Sequence, residues 1–311
     1  MSRLRAPCLP VLALLCMAPG LPAQSEPADP LVREGVTVQL GPHTYAIPDG
    51  NVGLVPNVGI IVGERATLVV DPGLGRRNGE VVLREVAKVS SNRELYFAST
   101  HFHAEHTVGY VAFPDDARYV NSTVQEAEFA EGGMRMVQMF SGRSAVTAEP
   151  LRDAERRVAD ITYDREHTLD LGGVTVRMLV VGPTHTRGDT GFLVVEDAVL
   201  FAGDVVMNNS FLAANQGSSV TAWLAAFDAF EAMGPRTIVP AHGAIGDGSL
   251  IPTQRAMVER IRARARALKA EGRSADEAAE MIQTELVAEH PDWPRSNGIA
   301  SLARSAWTEA P

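Results

Sequence analysis

The chain has 311 residues, with 28 lysines and arginines against 38 aspartates and glutamates, a formal net charge of −10. That acidic balance disfavours a nucleic-acid surface, which runs on clustered cations. With 45% hydrophobic residues and no run approaching ~20 apolar residues, stable membrane insertion is not expected. The chain has the material for one well-packed domain with a helical appendage.

Residues 1–23 read as a secretory signal peptide: Arg3 and Arg5, an apolar run from Cys8 to Met17, then a small-residue end at Ala23. Cleavage near Ala23 implies a periplasmic or secreted protein beginning near Gln24. Without the two leader arginines, 26 basic residues face 38 acidic ones, a net charge of −12. Both cysteines, Cys8 and Cys16, lie in the leader. The mature chain therefore has no disulfide or thiolate, and any metal must be held by histidine and carboxylate.

Residues 24–33 are polar and proline-rich and read as a flexible lead-in. Short strands follow at 36–40, 43–47, 58–63 and 66–71, with a loose segment at 48–56 that reads as a mobile flap. A helix is expected over 78–90, an apolar strand over 95–99 and an acidic helix near 123–132. Met134, Met136 and Met139 beside Phe140 suit either gap-filling core or substrate contact. A second strand series covers 166–181, 191–196 and 198–203, then a helix at 220–233 and a strand end at 237–243. From Ile251 to Leu286 two amphipathic helices break at Gly272-Arg273-Ser274. The first buries Met257, Ile261, Ala265 and Leu268 and turns its arginines to solvent. The expected layout is a main domain over 34–250 and, packed on it, a helical extension over 251–311.

Three of the eight histidines share one hexapeptide, His101-Phe102-His103-Ala104-Glu105-His106, directly after the apolar strand. In extended chain, residues two apart face the same way, so His101 and His103 can grip one metal. His106 breaks that parity where the chain turns into a helix, and with Glu105 it can face a neighbouring ion. His185, Asp204, His242 and Asp71 each follow a strand in the same manner, in VVGPTH, LFAGD, IVPAH and LVVD. A lone histidine in such a place is usually structural. Five histidines and two carboxylates in one topological slot are not, because polar side chains gather outside strand carboxyl ends.

The order HxHxEH, His, Asp, His, with VVDPG upstream, resembles the metallo-β-lactamase superfamily over roughly residues 36–243. The resemblance implies an α/β fold, a four-layer αββα sandwich with C-terminal helices, and a metallo-hydrolase with a site at one edge. It implies that His101, His103 and His185 bind a first metal, that Glu105, His106 and His242 bind a second, and that Asp204 bridges them. Asp71 would orient the ligand loop from behind, and Asp204 and Glu105 would serve catalysis. Two Zn²⁺ ions suit an all-nitrogen-and-oxygen donor set, with which iron and manganese are also compatible. The family usually has Asp where this chain has Glu105.

The expected partner is a small-molecule ester, thioester, lactone or amide. Class B1 β-lactamases resemble the chain but carry Cys at the Asp204 position and Lys at Met207. A class B-like β-lactamase, a mononuclear iron persulfide dioxygenase and a non-catalytic periplasmic metal-binding protein are the alternatives that share the motif.

Overall fold

A computed structural model describes residues 28–215 and 217–311. The expected signal peptide and the first part of the lead-in lie outside the described residues. Residues 28–33 are not loose: Val32 is buried, its N–H donates to Asn78 Oδ1, and Asn78 Nδ2 donates back to the Pro30 carbonyl.

Two mixed sheets stack face to face. The first runs in chain order from β1 (Val38–Gln39) through β2 (Thr44–Ile47), β3 (Val58–Val62), β4 (Ala66–Val70), β5 (Glu94–Ala98) and β6 (Arg118–Ser122) to β7 (Ile161–Tyr163). Its first four strands pair antiparallel and its last four parallel. The second is ordered β13 (Gly246–Asp247), β12 (Thr237–Pro240), β11 (Val199–Gly203), β10 (Thr190–Val194), β9 (Thr175–Val180) and β8 (Glu166–Asp170). The expected run over 166–181 is thus a hairpin. Gly172 and Gly173, at φ +87 and +73, reverse it in a conformation that only glycine adopts without strain.

Alternation along each strand sorts side chains into three cores. Ile60, Val69 and Phe97 face the helices outside the first sheet, while Ile61, Leu68, Val70, Tyr96 and Ala98 face the second sheet. Leu193, Leu200 and Ile238 point to the outer helices of the second sheet, and Phe192, Val194, Phe201 and Val239 point inward. Strands buried on both faces read as continuous apolar runs, which is their texture here. A Cβ at Gly59 would come within 2.6 Å of the Phe201 ring, so glycine lets the sheets meet closely there.

Helix α1 (Gly75–Val89) covers the first sheet. A short helix α2 (Ala104–Thr107) follows β5. The acidic helix is α3 (Thr123–Glu128), capped by Ser122 and running through a π turn into α4 (Met134–Ser141), with a further turn, α5 (Ala145–Ala148). Met134 and Met136 pack on the core, whereas Met139 is exposed. The second sheet is covered by α6 (Val220–Ala232), α7 (Leu250–Ala270), α8 (Ala275–Glu289) and α9 (Asn297–Glu309), which share one core. On α7, Ile261, Ala265 and Leu268 are buried and Met257 partly so. Its arginines pair with acids on neighbouring helices, Arg255 with Asp228 and Arg264 with Glu285. Helix α9 escaped the sequence reading, as did β6, β7 and β13. Among the described residues no helix is long and apolar enough to cross a membrane.

Candidate metal centre

Parallel pairing aligns the carboxyl ends of β4 with β5 and of β11 with β12. β9 runs in the same sense as β11, because β10 is antiparallel to both. The residues that follow these strands therefore gather at one edge of the sandwich. Asp71, just beyond β4, has a left-handed φ of 59 and is buried. Its Oδ1 accepts from the Thr100 N–H at 2.7 Å, and its Oδ2 accepts from Thr100 Oγ1 at 2.9 Å and from His106 Nδ1 at 3.0 Å. One carboxylate thus pins both ends of the 100–106 loop. Burial opposes a charge on His106, but the Asp71 carboxylate beside it prevails and pushes the imidazole up to about 9.

Behind that loop, Gln125 Nε2 lies 3.0–3.3 Å from the carbonyls of Ser99, Thr100 and Gly188. On the opposite side, Asp189 accepts from the backbone N–H of Thr186 and from the hydroxyls of Thr184 and Thr186, fixing the turn that carries His185.

Two groups of three donors result. In each of His101–His103–His185 and Glu105–His106–His242, the donor atoms lie within 4.8 Å of one another. Asp204 stands between them, with Oδ2 at 3.3 Å from His185 Nε2 and Oδ1 at 4.0 Å from His242 Nε2. Burial would raise the Asp204 carboxyl, yet Arg295 and His185 hold it well below the usual carboxylate range. Burial, followed by the neighbouring imidazoles, drives His101 and His103 well below the usual histidine value. Burial also lowers His242.

The ring orientations follow from what lies behind each histidine. His185 Nδ1 meets the Ala213 carbonyl at 2.5 Å and His242 Nδ1 meets the Val55 carbonyl at 2.9 Å. A carbonyl only accepts, so both Nδ1 atoms carry the proton and both Nε2 lone pairs face the site. His106 is oriented likewise by Asp71. His101 Nδ1 lies 3.1 Å from Thr100 Oγ1, whose own proton goes to Asp71. His103 instead turns Nδ1 inward, 3.3 Å from His185 Nε2.

Among the described residues, His101 Nε2, His106 Nε2, Glu105 Oε2 and Asp204 Oδ1 are buried with no hydrogen-bond partner. Burying a polar atom unpaired costs about 1–3 kcal/mol, so four at one spot call for something that binds all of them. Five imidazoles and two carboxylates converging there fit a pair of divalent metal ions.

Residues 52–242, more than half of the chain, match the sequence profile of the metallo-beta-lactamase superfamily. The chain belongs to the metallo-beta-lactamase superfamily. It is similar to the lactamase-like protein vrtG of Penicillium aethiopicum, at 26% identity over 211 residues, which is 67% of this chain and 59% of that relative's length. Among solved structures, a metallo-beta-lactamase from Pontibacter korlensis aligns at TM-score 0.58 and 16% identity, over 72% of this chain and 98% of its own. The stereoselective inverting sec-alkylsulfatase Pisa1 from Pseudomonas sp. aligns at 0.66 and 15%, over 88% of this chain but 49% of its own. A metallo-beta-lactamase family protein from Thermus thermophilus aligns at 0.60 and 18%, over 86% of this chain and 94% of its own. At these identities the likeness shows the fold alone, which is the superfamily's four-layer sandwich with C-terminal helices added.

Within that superfamily fold the centre opens into a cleft of about 610 Å³, with Glu105 and His242 in its lining. One wall is the 48–56 segment, which is less free than its composition suggests. Asp49 Oδ2 accepts from the Gly243 N–H at 2.7 Å, and Asn57 Nδ2 donates to the Pro240 and Gly243 carbonyls at 2.8 Å. The opposite wall is formed by residues 207–210 and by the α8–α9 connection. Met207 is buried there, and its sulfur lies 3.8 Å from Arg295 Nη1. Arg295 also donates from Nη2 to Asp204 Oδ2 at 2.5 Å. A guanidinium is thus brought beside position 207 by a residue 88 positions later. No motif surrounds Arg295, and sequence reading had no signal for it. Thr100, Gln125 and Asp189 were missed as well: they brace the ligand loops through bonds to backbone groups and hydroxyls, which have no sequence signature.

Proposed function

We propose that this chain is an exported zinc-dependent hydrolase acting on a small ester, thioester, lactone or amide. In this reading His101, His103 and His185 hold one ion, Glu105, His106 and His242 hold another, and Asp204 lies between the two. The observation that carries it is the convergence of two three-donor groups in which, among the described residues, the buried His101 Nε2, Glu105 Oε2 and His106 Nε2 have no hydrogen-bond partner. A leader with signal-peptide character supports export. When bound, such ions supply a water of near-neutral pKa and a Lewis acid for the carbonyl oxygen. The chain's own residues do the rest. Asp204, held ionised, uses Oδ1 to accept a hydrogen bond from the attacking water and aim it. Glu105, in the cleft lining, would take the proton that the attacking water gives up and hand it to the leaving atom. Asp71 and the carbonyls of Val55 and Ala213 keep the imidazoles turned inward, so no reorganisation is needed as charge develops.

The test is elemental analysis of the exported protein together with a panel of ester, thioester, lactone and β-lactam substrates. We expect about two zinc ions per chain and an N-terminus near Gln24. Asp204→Ala should lower hydrolysis on the order of 10²-fold or more with the circular dichroism spectrum unchanged. Bound iron with oxygen consumption, or a normal rate in Asp204→Ala, overturns the proposal.

A further inference from the structure

We infer that Arg295 is the anion-recognising residue of the cleft, and that the substrate carries a carboxylate on its acyl portion. This rests on the hydrolytic reading of the centre. Arg295 lies beyond the segment that matches the superfamily profile, so the assignment comes from its placement in this structure. Among the described residues lining the cleft, Val52, Leu54, Met207 and Pro294 are apolar, and Arg295 is the one lysine or arginine.

Its guanidinium is fixed rather than waving. The side chain is 28% exposed, and its backbone is held at a left-handed φ of 66, a state that costs a non-glycine residue about 1 kcal/mol or more. The surrounding connection enforces it. The Phe211 N–H donates to the Pro294 carbonyl at 3.3 Å, and the Gly298 N–H donates to the Arg295 carbonyl at 2.8 Å. The Trp293 ring lies 5.3 Å from Phe211 and stacks on His290 at 4.1 Å.

The guanidinium also has donors to spare. It offers five N–H groups in a planar fork. Among the described residues one goes to Asp204 Oδ2 and another faces only the Met207 sulfur, a weak acceptor. The acids nearby do not compete for the rest. Asp49 accepts from the N–H groups of Asn51 and Gly243, Glu105 belongs to the centre, and Asp292 is exposed at the rim. A carboxylate entering the cleft would meet a partly buried, tethered cation beside the hydrolytic centre, a setting that favours a forked ion pair.

The decisive measurement uses the full mature chain at saturating zinc with a matched pair of 4-nitrophenyl esters, the neutral hexanoate and the anionic mono-ester of adipic acid, in which a carboxylate replaces the terminal methyl. Wild type, Arg295→Gln and Arg295→Lys are compared by the ratio of kcat/KM for the anionic ester over the neutral one. The expected result is a ratio lowered about tenfold or more in Arg295→Gln and partly retained in Arg295→Lys, with the loss in KM. An unchanged ratio, whatever the absolute rates do, overturns the proposal and leaves Arg295 as a positioning residue for Asp204. If wild type hydrolyses neither ester, the hydrolase reading fails by itself, and calorimetric titration with glutarate decides Arg295. Binding weakened about tenfold or more in Arg295→Gln sustains the anion role, and equal affinities refute it.

Discussion

Glu105 is the residue at which the site departs from the superfamily pattern, and its surroundings show how the longer side chain is accommodated. It sits in the first turn of α2, 8% exposed, with Oε2 buried and unpaired and a carboxylate oxygen grouped with the donor atoms of His106 and His242. The extra methylene is folded into the cleft rather than out to solvent. A glutamate has one more torsion to freeze than an aspartate, so the Glu105 group should be the weaker site and lose its ion first to a chelator. Glu105→Gln should weaken that site by about ten-fold or more, whereas Glu105→Asp should preserve or tighten it. Metal titration of the three proteins decides: identical stoichiometry and affinity would remove Glu105 from the ligand set.

At the scale of elements, the segment leading into β1 is tied to α1 through a buried carboxylate. Glu85 accepts from the Gly35 N–H at 2.7 Å, from Thr37 Oγ1 and from Lys88 Nζ. Burial alone would raise its carboxyl, but the bonds from Lys88, Thr37 and Gly35 outweigh it and hold the value below the usual carboxylate range. A carboxyl depressed in the folded state contributes stability above its unfolded value, about 4.3, and loses that contribution as pH falls through the folded value. The Tm of wild type should therefore exceed that of Glu85→Gln most near about pH 6, and the gap should close toward about pH 3. A gap that stays constant with pH would assign the effect to packing. The cleft wall is held by the same means from another element. Gln254 on α7 donates to the carbonyls of Met207 and Ser210 at 3.1 and 3.3 Å, so the C-terminal helices shape the cleft as well as contributing Arg295 to it.

For the molecule as a whole, the last three helices are part of the main core. Leu302 on α9, Ile282 and Leu286 on α8, and Ile261 on α7 are buried in one cluster with Trp223, Phe227 and Phe230 of α6. Removing a buried leucine side chain costs about 2–5 kcal/mol through lost burial and the cavity left behind. Leu302→Ala should lower the stability of the entire chain by that amount in denaturant unfolding. Wild type should unfold in a single transition followed alike by far-ultraviolet and tryptophan signals. A separate early transition for the helical part would show that 251–311 folds as its own unit.

The sequence by itself determined the parts of this protein that rest on local pattern. Buried strands announced themselves as apolar runs, and the residues after ATLVV, ELYFA, VLFAG and TIVP, namely Asp71, His101, Asp204 and His242, marked one edge of the fold. The HxHxEH spacing carried the superfamily, because backbone periodicity dictates which of those side chains share a face. What only the tertiary structure decided was everything that depends on approach between distant segments. Arg295 reaches Asp204 across 91 positions, Asn57 ties the 48–56 wall to Gly243 across 186, and Gln125 braces the ligand loop through carbonyls that every residue possesses. Hydrogen bonds to backbone groups and ion pairs closed by packing leave no periodicity in the chain. They exist only once burial has brought their partners together and removed the water that would otherwise satisfy them.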